Sequence, residues 1–194
     1  MRTHSPVRTA LLALAAGLAL LLAGCGGDTA AAPAAAPPSV ESIAAVHNGA
    51  DLAFVNGMHP HHQGAVTMSE LVSTRAKDQR VKDLAARIAQ AQGPEMARMD
   101  SMAKAWGTEL GGSGGHAGHS MAMGDDAAAL EGLSGAAFDK AFLASMSMHH
   151  EGALPMARTE LASGSNPQAK ELAQQIVDVQ QTEIAEMKML LTQL

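Results

Sequence analysis

Shifted by 88 positions the sequence matches itself, and this repeat constrains the fold more than any other feature. Phe54 meets Phe142, Met58 meets Met146, and His61-His62 meet His149-His150. Gly64, Ala65 and Met68 meet Gly152, Ala153 and Met156. Without a gap the match continues through Lys82/Lys170, Leu84/Leu172, Ile88/Ile176, Gln92/Gln180, Glu95/Glu183 and Met99/Met187. Such an internal duplication means one structural unit made twice.

Each copy reads as two helices. Phe54, Met58, His61, Ala65, Met68 and Val72 recur at steps of three and four, as do Val81, Leu84, Ile88, Gln92, Glu95, Met99, Met102 and Trp106. Asp78, and its repeat mate Asn166 followed by Pro167, supply N-cap chemistry for the second helix of each copy. The spacing predicts helices over 49–75, 78–106, 135–163 and 168–193. Two short-looped αα-hairpins then pack as an all-α four-helix bundle. The bundle domain is expected over 46–194, with copy one at about 47–106 and copy two at about 134–194. Between them, 107–133 is a Gly-, His- and Met-rich connection. Pro60, Pro94 and Pro155 fall inside helical patterns, where each costs about 3 kcal/mol, so kinks are expected.

The chain opens differently. Arg2 and Arg8 flank an apolar run from Ala10 to Ala23, shorter than the roughly 20 residues that cross a bilayer. The run ends in Leu22-Ala23-Gly24-Cys25, which resembles a bacterial lipobox. Residues 1–24 are therefore expected to be a lipoprotein signal peptide, with Cys25 the lipidated residue. Residues 25–45, rich in Gly, Ala, Pro and Ser, form a tether with too little apolar surface for a core. The expected location is the extracytoplasmic face of a bacterial membrane, held by the lipid anchor. Removing Arg2 and Arg8 takes the net charge from −6 to −8. That acidity, with no basic run, argues against nucleic acid as a partner.

Cys25 is the only cysteine, so the folded domain has neither disulfides nor thiolate metal sites. Tyrosine is absent and there are three phenylalanines and one tryptophan, against thirteen methionines and nine histidines. With so few aromatics the core falls to methionine and alanine. On a helical wheel Met58, His61, His62 and Met68 share one face about a third of the circumference wide. The repeat supplies Met146, His149, His150 and Met156, with Met148 as an extra thioether where the first copy has Pro60. Thioether sulfur and imidazole nitrogen together suit a soft monovalent ion, so the expected cargo is copper as Cu(I). Zinc more often takes cysteine or carboxylate beside histidine.

Methionines at helical spacing also serve simply as core, and a duplication copies structural residues as faithfully as functional ones. Glu95 and Glu183 lie on apolar stripes, where a buried carboxylate needs a partner. The reading favoured here is that each orients an imidazole, rather than binding metal directly or joining a polar network. Met99 and Met187, His47 and His59 are further possible ligands or supports. The connection adds His116, His119, Met121 and Met123, the same donors on a flexible chain.

The segments Phe54-Val-Asn-Gly-Met58-His-Pro-His61-His62-Gln-Gly-Ala65-Val-Thr-Met68 and Phe142-Leu-Ala-Ser-Met146-Ser-Met-His149-His150-Glu-Gly-Ala153-Leu-Pro-Met156 resemble the family called domain of unknown function 305. The shared signature is Met-x-x-His-His-x-x-Ala-x-x-Met, present in both halves. The resemblance runs from about His47 to the C-terminus. It implies a ferritin-like bundle in exported or membrane-attached bacterial proteins, with a role in copper handling. Di-iron bundles use Glu-x-x-His pairs, and this chain contains none.

Three functions follow as expectations. The first is a lipid-anchored protein that buffers, sequesters or passes on Cu(I), with another copper-handling protein as partner. The second is a metalloenzyme holding a redox or hydrolytic metal through a His/His/Glu set in each half. The third is an interaction module whose His-Glu network only fixes helix register.

Overall fold

The computed structural model describes residues 42–110 and 127–194. Four helices make up its framework: α1 (Gly49–Arg75), α2 (Gln79–Trp106), α3 (Gly135–Ser163) and α4 (Pro167–Gln193). Each start is chemically marked. The Asn48 side chain accepts from the Ala50 and Asp51 N–H groups, and Asp51 in turn accepts from the Asn48 N–H, closing a capping box. Asp78 accepts from the Arg80 N–H, and Asn166 from that of Ala169, with Pro167 in the first turn of α4. Gly107, at φ 67°, ends α2 in the left-handed region that glycine tolerates. Pro60, Pro94 and Pro155 lie inside α1, α2 and α3, each of which remains one helix across its proline.

The hairpins α1/α2 and α3/α4 join through an antiparallel seam between α1 and α3, whereas α2 and α4 touch little. Arg87–Glu186 (2.6 Å) and Arg98–Glu171 ion pairs bridge that looser side. Exposed pairs of this kind add at most about 1 kcal/mol each. Apolar burial carries the stability: Met58, Met68, Met99, Met102 and Met146 are fully buried beside Phe138, Phe142, Leu84, Ile88 and Leu172. Each such side chain contributes roughly 1.5–3 kcal/mol by leaving water. Methionine thus does the filling that the missing aromatics would have done. No described helix is long and apolar enough to cross a membrane.

The two copies also grip one another at both ends. Asp51, at the start of α1, accepts hydrogen bonds from the Ser165 and Asn166 N–H groups (3.1 and 2.9 Å) in the turn of the other hairpin. Asp139, its repeat mate on α3, accepts from the Lys77 and Asp78 N–H groups (3.0 and 2.9 Å) in the first hairpin's turn. Both aspartates are buried. Burial would raise the Asp51 pKa, but the N–H groups of Asn166, Asn48 and Ser165, with Glu160, outweigh it and hold the carboxyl at about 2.

Copy two adds Glu160 at this joint, where copy one has Val72. Burial first, and then the neighbouring Asp51, push its carboxyl up to about 8. Gly164 accommodates it: a Cβ there would collide with the Glu160 carboxyl and come within 2.7 Å of the Glu160 carbonyl oxygen. At the same end, the Trp106 indole N–H donates to the Ala44 carbonyl, and the Asn166 amide donates to those of Ala44 and Val46. These bonds pin the segment before α1 against α2 and α4.

Candidate metal centre

The four motif histidines sit at mid-helix and are all buried, but they divide into two kinds. His61 and His149 project into the α1–α3 seam, one from each copy, and their rings meet at a centroid distance of 3.8 Å, tilted by 42°. His62 and His150 turn about 100° further round their helices to the second helix of their own hairpin. There the His62 Nε2 donates to Glu95 Oε2 (2.7 Å) and the His150 Nε2 to Glu183 Oε2 (2.8 Å). Since a carboxylate only accepts, each of these rings carries a hydrogen on Nε2, and its buried Nδ1 is left without a hydrogen-bond partner.

Glycine allows the close approach of the seam imidazoles. A Cβ on Gly64 would stand 3.1 Å from His149 Nε2, and one on Gly152 would stand 3.6 Å from His61 Nε2. The two positions are repeat mates, so the seam has a local two-fold relation. Sequence reasoning aligned these glycines without giving them a role. Their signal was a residue costing roughly 1 kcal/mol in a helix, placed three positions after the first histidine in both copies.

Electrostatically the centre is poised to stay neutral. Burial first, then the imidazoles of His150 and His62, push His149 down to about 4. Burial, then His149, His62 and His150, push His61 to about 2. Neutral imidazole is the metal-ligating form. The Nδ1 atoms of His61, His62, His149 and His150, and Nε2 of His149, are buried without a hydrogen-bond partner. Such atoms cost free energy unless something accepts their lone pairs, so the donor set fits a cation that prefers nitrogen and sulfur. Gln92 and Gln180 are also buried with unpartnered amide atoms, a polar pair that the sequence shows only as interruptions of an apolar stripe.

The remaining sequence-predicted residues are spread more widely. Met58, Met68 and Met146 are buried, Met156 is half-buried, and Met99 and Met187 lie buried one turn beyond Glu95 and Glu183. Met148 is 63% exposed and points off the seam. His59 faces α2, with Nε2 3.3 Å from Asp100 Oδ1. His47 stacks on Trp106 at 4.9 Å, just before α1; about 13 helical residues, roughly 20 Å of rise, separate that level from His61. His116, His119, Met121, Met123 and Cys25 lie outside the described residues. Among the described residues no three His, Asp or Glu side chains converge as a metal-holding group, so a site here would draw on thioether sulfur.

Residues 51–191 match the family model described as Domain of unknown function (DUF305). A DUF305 fragment from Deinococcus radiodurans, solved by crystallography, is 30% identical with a TM-score of 0.68, covering 76% of this chain and 98% of that one. Structures of CopM in Cu(II)-bound and Cu(I)-bound forms are 31% and 27% identical, each with a TM-score of 0.63 over 74% of this chain and 96% of theirs. CopM has also been solved in an Ag-bound form. Uncharacterized protein L153 of Acanthamoeba polyphaga mimivirus is 44% identical over 52 residues, 27% of this chain, and the match spans about a third (34%) of that relative's length.

Proposed function

This chain belongs to the DUF305 family, and we propose that it is a copper-binding protein that takes its cargo as Cu(I) between α1 and α3. The observation that carries the reading is the His61–His149 pair, buried, neutral and facing, with ring nitrogens that no protein group satisfies. Thioethers of Met68, Met156, Met58 and Met146 supply the soft donors beside it. Glu95 and Glu183 fix the rings of His62 and His150 so that Nδ1 is free to bind. Copper- and silver-bound forms of CopM, at 26–31% identity, support the same chemistry.

The protein would act outside the cytoplasm, held to a membrane through lipid on Cys25, and would sequester Cu(I) or pass it to another copper-handling protein. His116, His119, Met121 and Met123 would assist capture. The metalloenzyme reading is weaker, because in each half the first histidine turns to the other copy and not to its own His/Glu couple.

Anaerobic titration with Cu(I) against a chromophoric competitor, with Zn(II) and Fe(II) in parallel, tests the proposal. Tight uptake of Cu(I) with weak uptake of the others is expected. No competitive uptake of any ion would leave the histidines structural and favour the interaction module.

A further inference from the structure

Along the α1–α3 seam the soft donors stand in a row. A Cβ on Gly57 would lie 3.2 Å from Met156 Sδ, so that thioether rests against the bare backbone of α1. One turn along α1 comes His61, over Gly152, and beyond it His149, over Gly64. The antiparallel register then brings Met68 level with Ser145. The order is Met156, His61, His149, Met68, with the two imidazoles in contact at its middle.

The two-fold relation exchanges Met156 with Met68 and Gly57 with Ser145, so the ends of the row are built differently. A side chain stands in the second copy where the first has none. Exposure follows the same asymmetry. Met68 is 1% exposed, His61 7% and His149 6%, whereas Met156 is half-buried. It is therefore the one member of the row that combines access to solvent with a place in the seam.

Building on the copper reading, we infer that a soft monovalent ion enters and leaves the seam through Met156, which Gly57 admits against α1, and that Met68 and Ser145 close the opposite end. The ion exchanges water for thioether sulfur at Met156 and then passes to His61, the next donor inward. Low coordination numbers make such a handover from sulfur to nitrogen feasible without a preformed cage. Gly57 acts as a positioning residue, because any side chain there must displace the Met156 sulfur. Met148, more exposed but off the seam, takes no part.

The test is stopped-flow transfer of Cu(I) from a chromophoric complex to the full chain, with equilibrium stoichiometry measured on the same samples. Met156→Leu and Gly57→Val should slow loading by about tenfold. Met68→Leu should weaken retention without slowing loading, and Met148→Leu should change neither. Circular dichroism checks that each variant is helical, and Met156→Leu, at a half-buried site, keeps the test decisive if Gly57→Val misfolds. Loading of Met156→Leu at the wild-type rate, or equal slowing in Met68→Leu, overturns the route while leaving copper binding intact. Absence of Cu(I) uptake by the unaltered protein overturns both.

Discussion

The two halves of this protein agree at the centre and in the aspartates of the joints, and differ at the ends of the seam, on the flanks and in the Glu160 that only one joint carries. His61/His149, His62/His150, Gly64/Gly152, Glu95/Glu183 and Asp51/Asp139 are the same residue in both copies and make the same kind of contact. Gly57/Ser145, His59/Ser147, Pro60/Met148 and Val72/Glu160 differ. Of the shared set, His61/His149, Gly64/Gly152 and Asp51/Asp139 lie where one copy meets the other, so a change there is felt by both. The His62–Glu95 and His150–Glu183 couples close within their own hairpins. Of the differing set, His59 meets its own partner helix and Met148 meets solvent. Gly57/Ser145 lies at the ends of the seam and Glu160 at one joint, so the halves specialise at their mutual contacts as well.

The largest expected effect breaks the shared set. His61→Ala with His149→Ala should weaken Cu(I) binding by about 100-fold or more in a competition titration, since a buried ligand pair is removed. His61→Ala alone should lower binding by more than half of the total sites, because its ring faces the other copy. If the single variant instead loses one ion and leaves a second site unchanged, the halves bind independently.

Next come the joints. Asp51→Ala should cost about 2–3 kcal/mol in urea unfolding, and Asp139→Ala about 1–2 kcal/mol, each leaving turn N–H groups unpaired. The order reflects the extra donors on Asp51, which include the Ser165 hydroxyl at 3.0 Å. Reversal of that order would mean that the symmetric bonds alone set the strength.

A smaller effect tests where the halves differ. Gly164 corresponds to Ala76, and Ala76 follows Val72 where Gly164 follows Glu160. Gly164→Ala should cost about 1–3 kcal/mol through overpacking, and adding Glu160→Val should recover part of it by recreating the first copy's pairing. Thermal unfolding of the single and double variants measures this.

The smallest effect is a pH dependence. Glu160 has a folded pKa of about 8, above its ordinary 4.5. The stability it contributes is fully present below pH 4.5 and is lost as pH rises through 8. Asp51, lowered to about 2 from 3.8, has the opposite sign and loses its contribution as pH falls through 2. Glu160→Gln should therefore flatten the decline in Tm between about pH 5 and 9. An unchanged slope would assign the decline to other groups.

Much of this was legible in the sequence, for identifiable reasons. Helix limits followed from the duplicated period and from the caps Asp78 and Asn166, because capping is local chemistry. The His62–Glu95 and His150–Glu183 couples followed from the cost of burying a carboxylate alone. What failed was pairing across copies. A helical wheel gives a face and not a neighbour, so it does not report that His61 meets His149 of the other copy while His62 meets Glu95 of its own. Asp51 and Asp139 carried no sequence signal of their role, since the N–H groups that donate to them lie about 115 and 61 positions away and no local rule reports that distance. Glu160 left no periodic signal at all.

The exchange of aspartates at the joints has a consequence for a chain half this length. Each hairpin offers an acid and a waiting turn, and the N–H groups of each turn donate to the acid of the other hairpin. A surface that is complementary to itself closes as a two-fold pair. One copy expressed alone should therefore assemble as a homodimer, with each subunit's aspartate seated in the other's turn. Covalent linkage of the two copies frees that arrangement from any dependence on concentration, and it also lets the two sides of a once-symmetric assembly carry different residues.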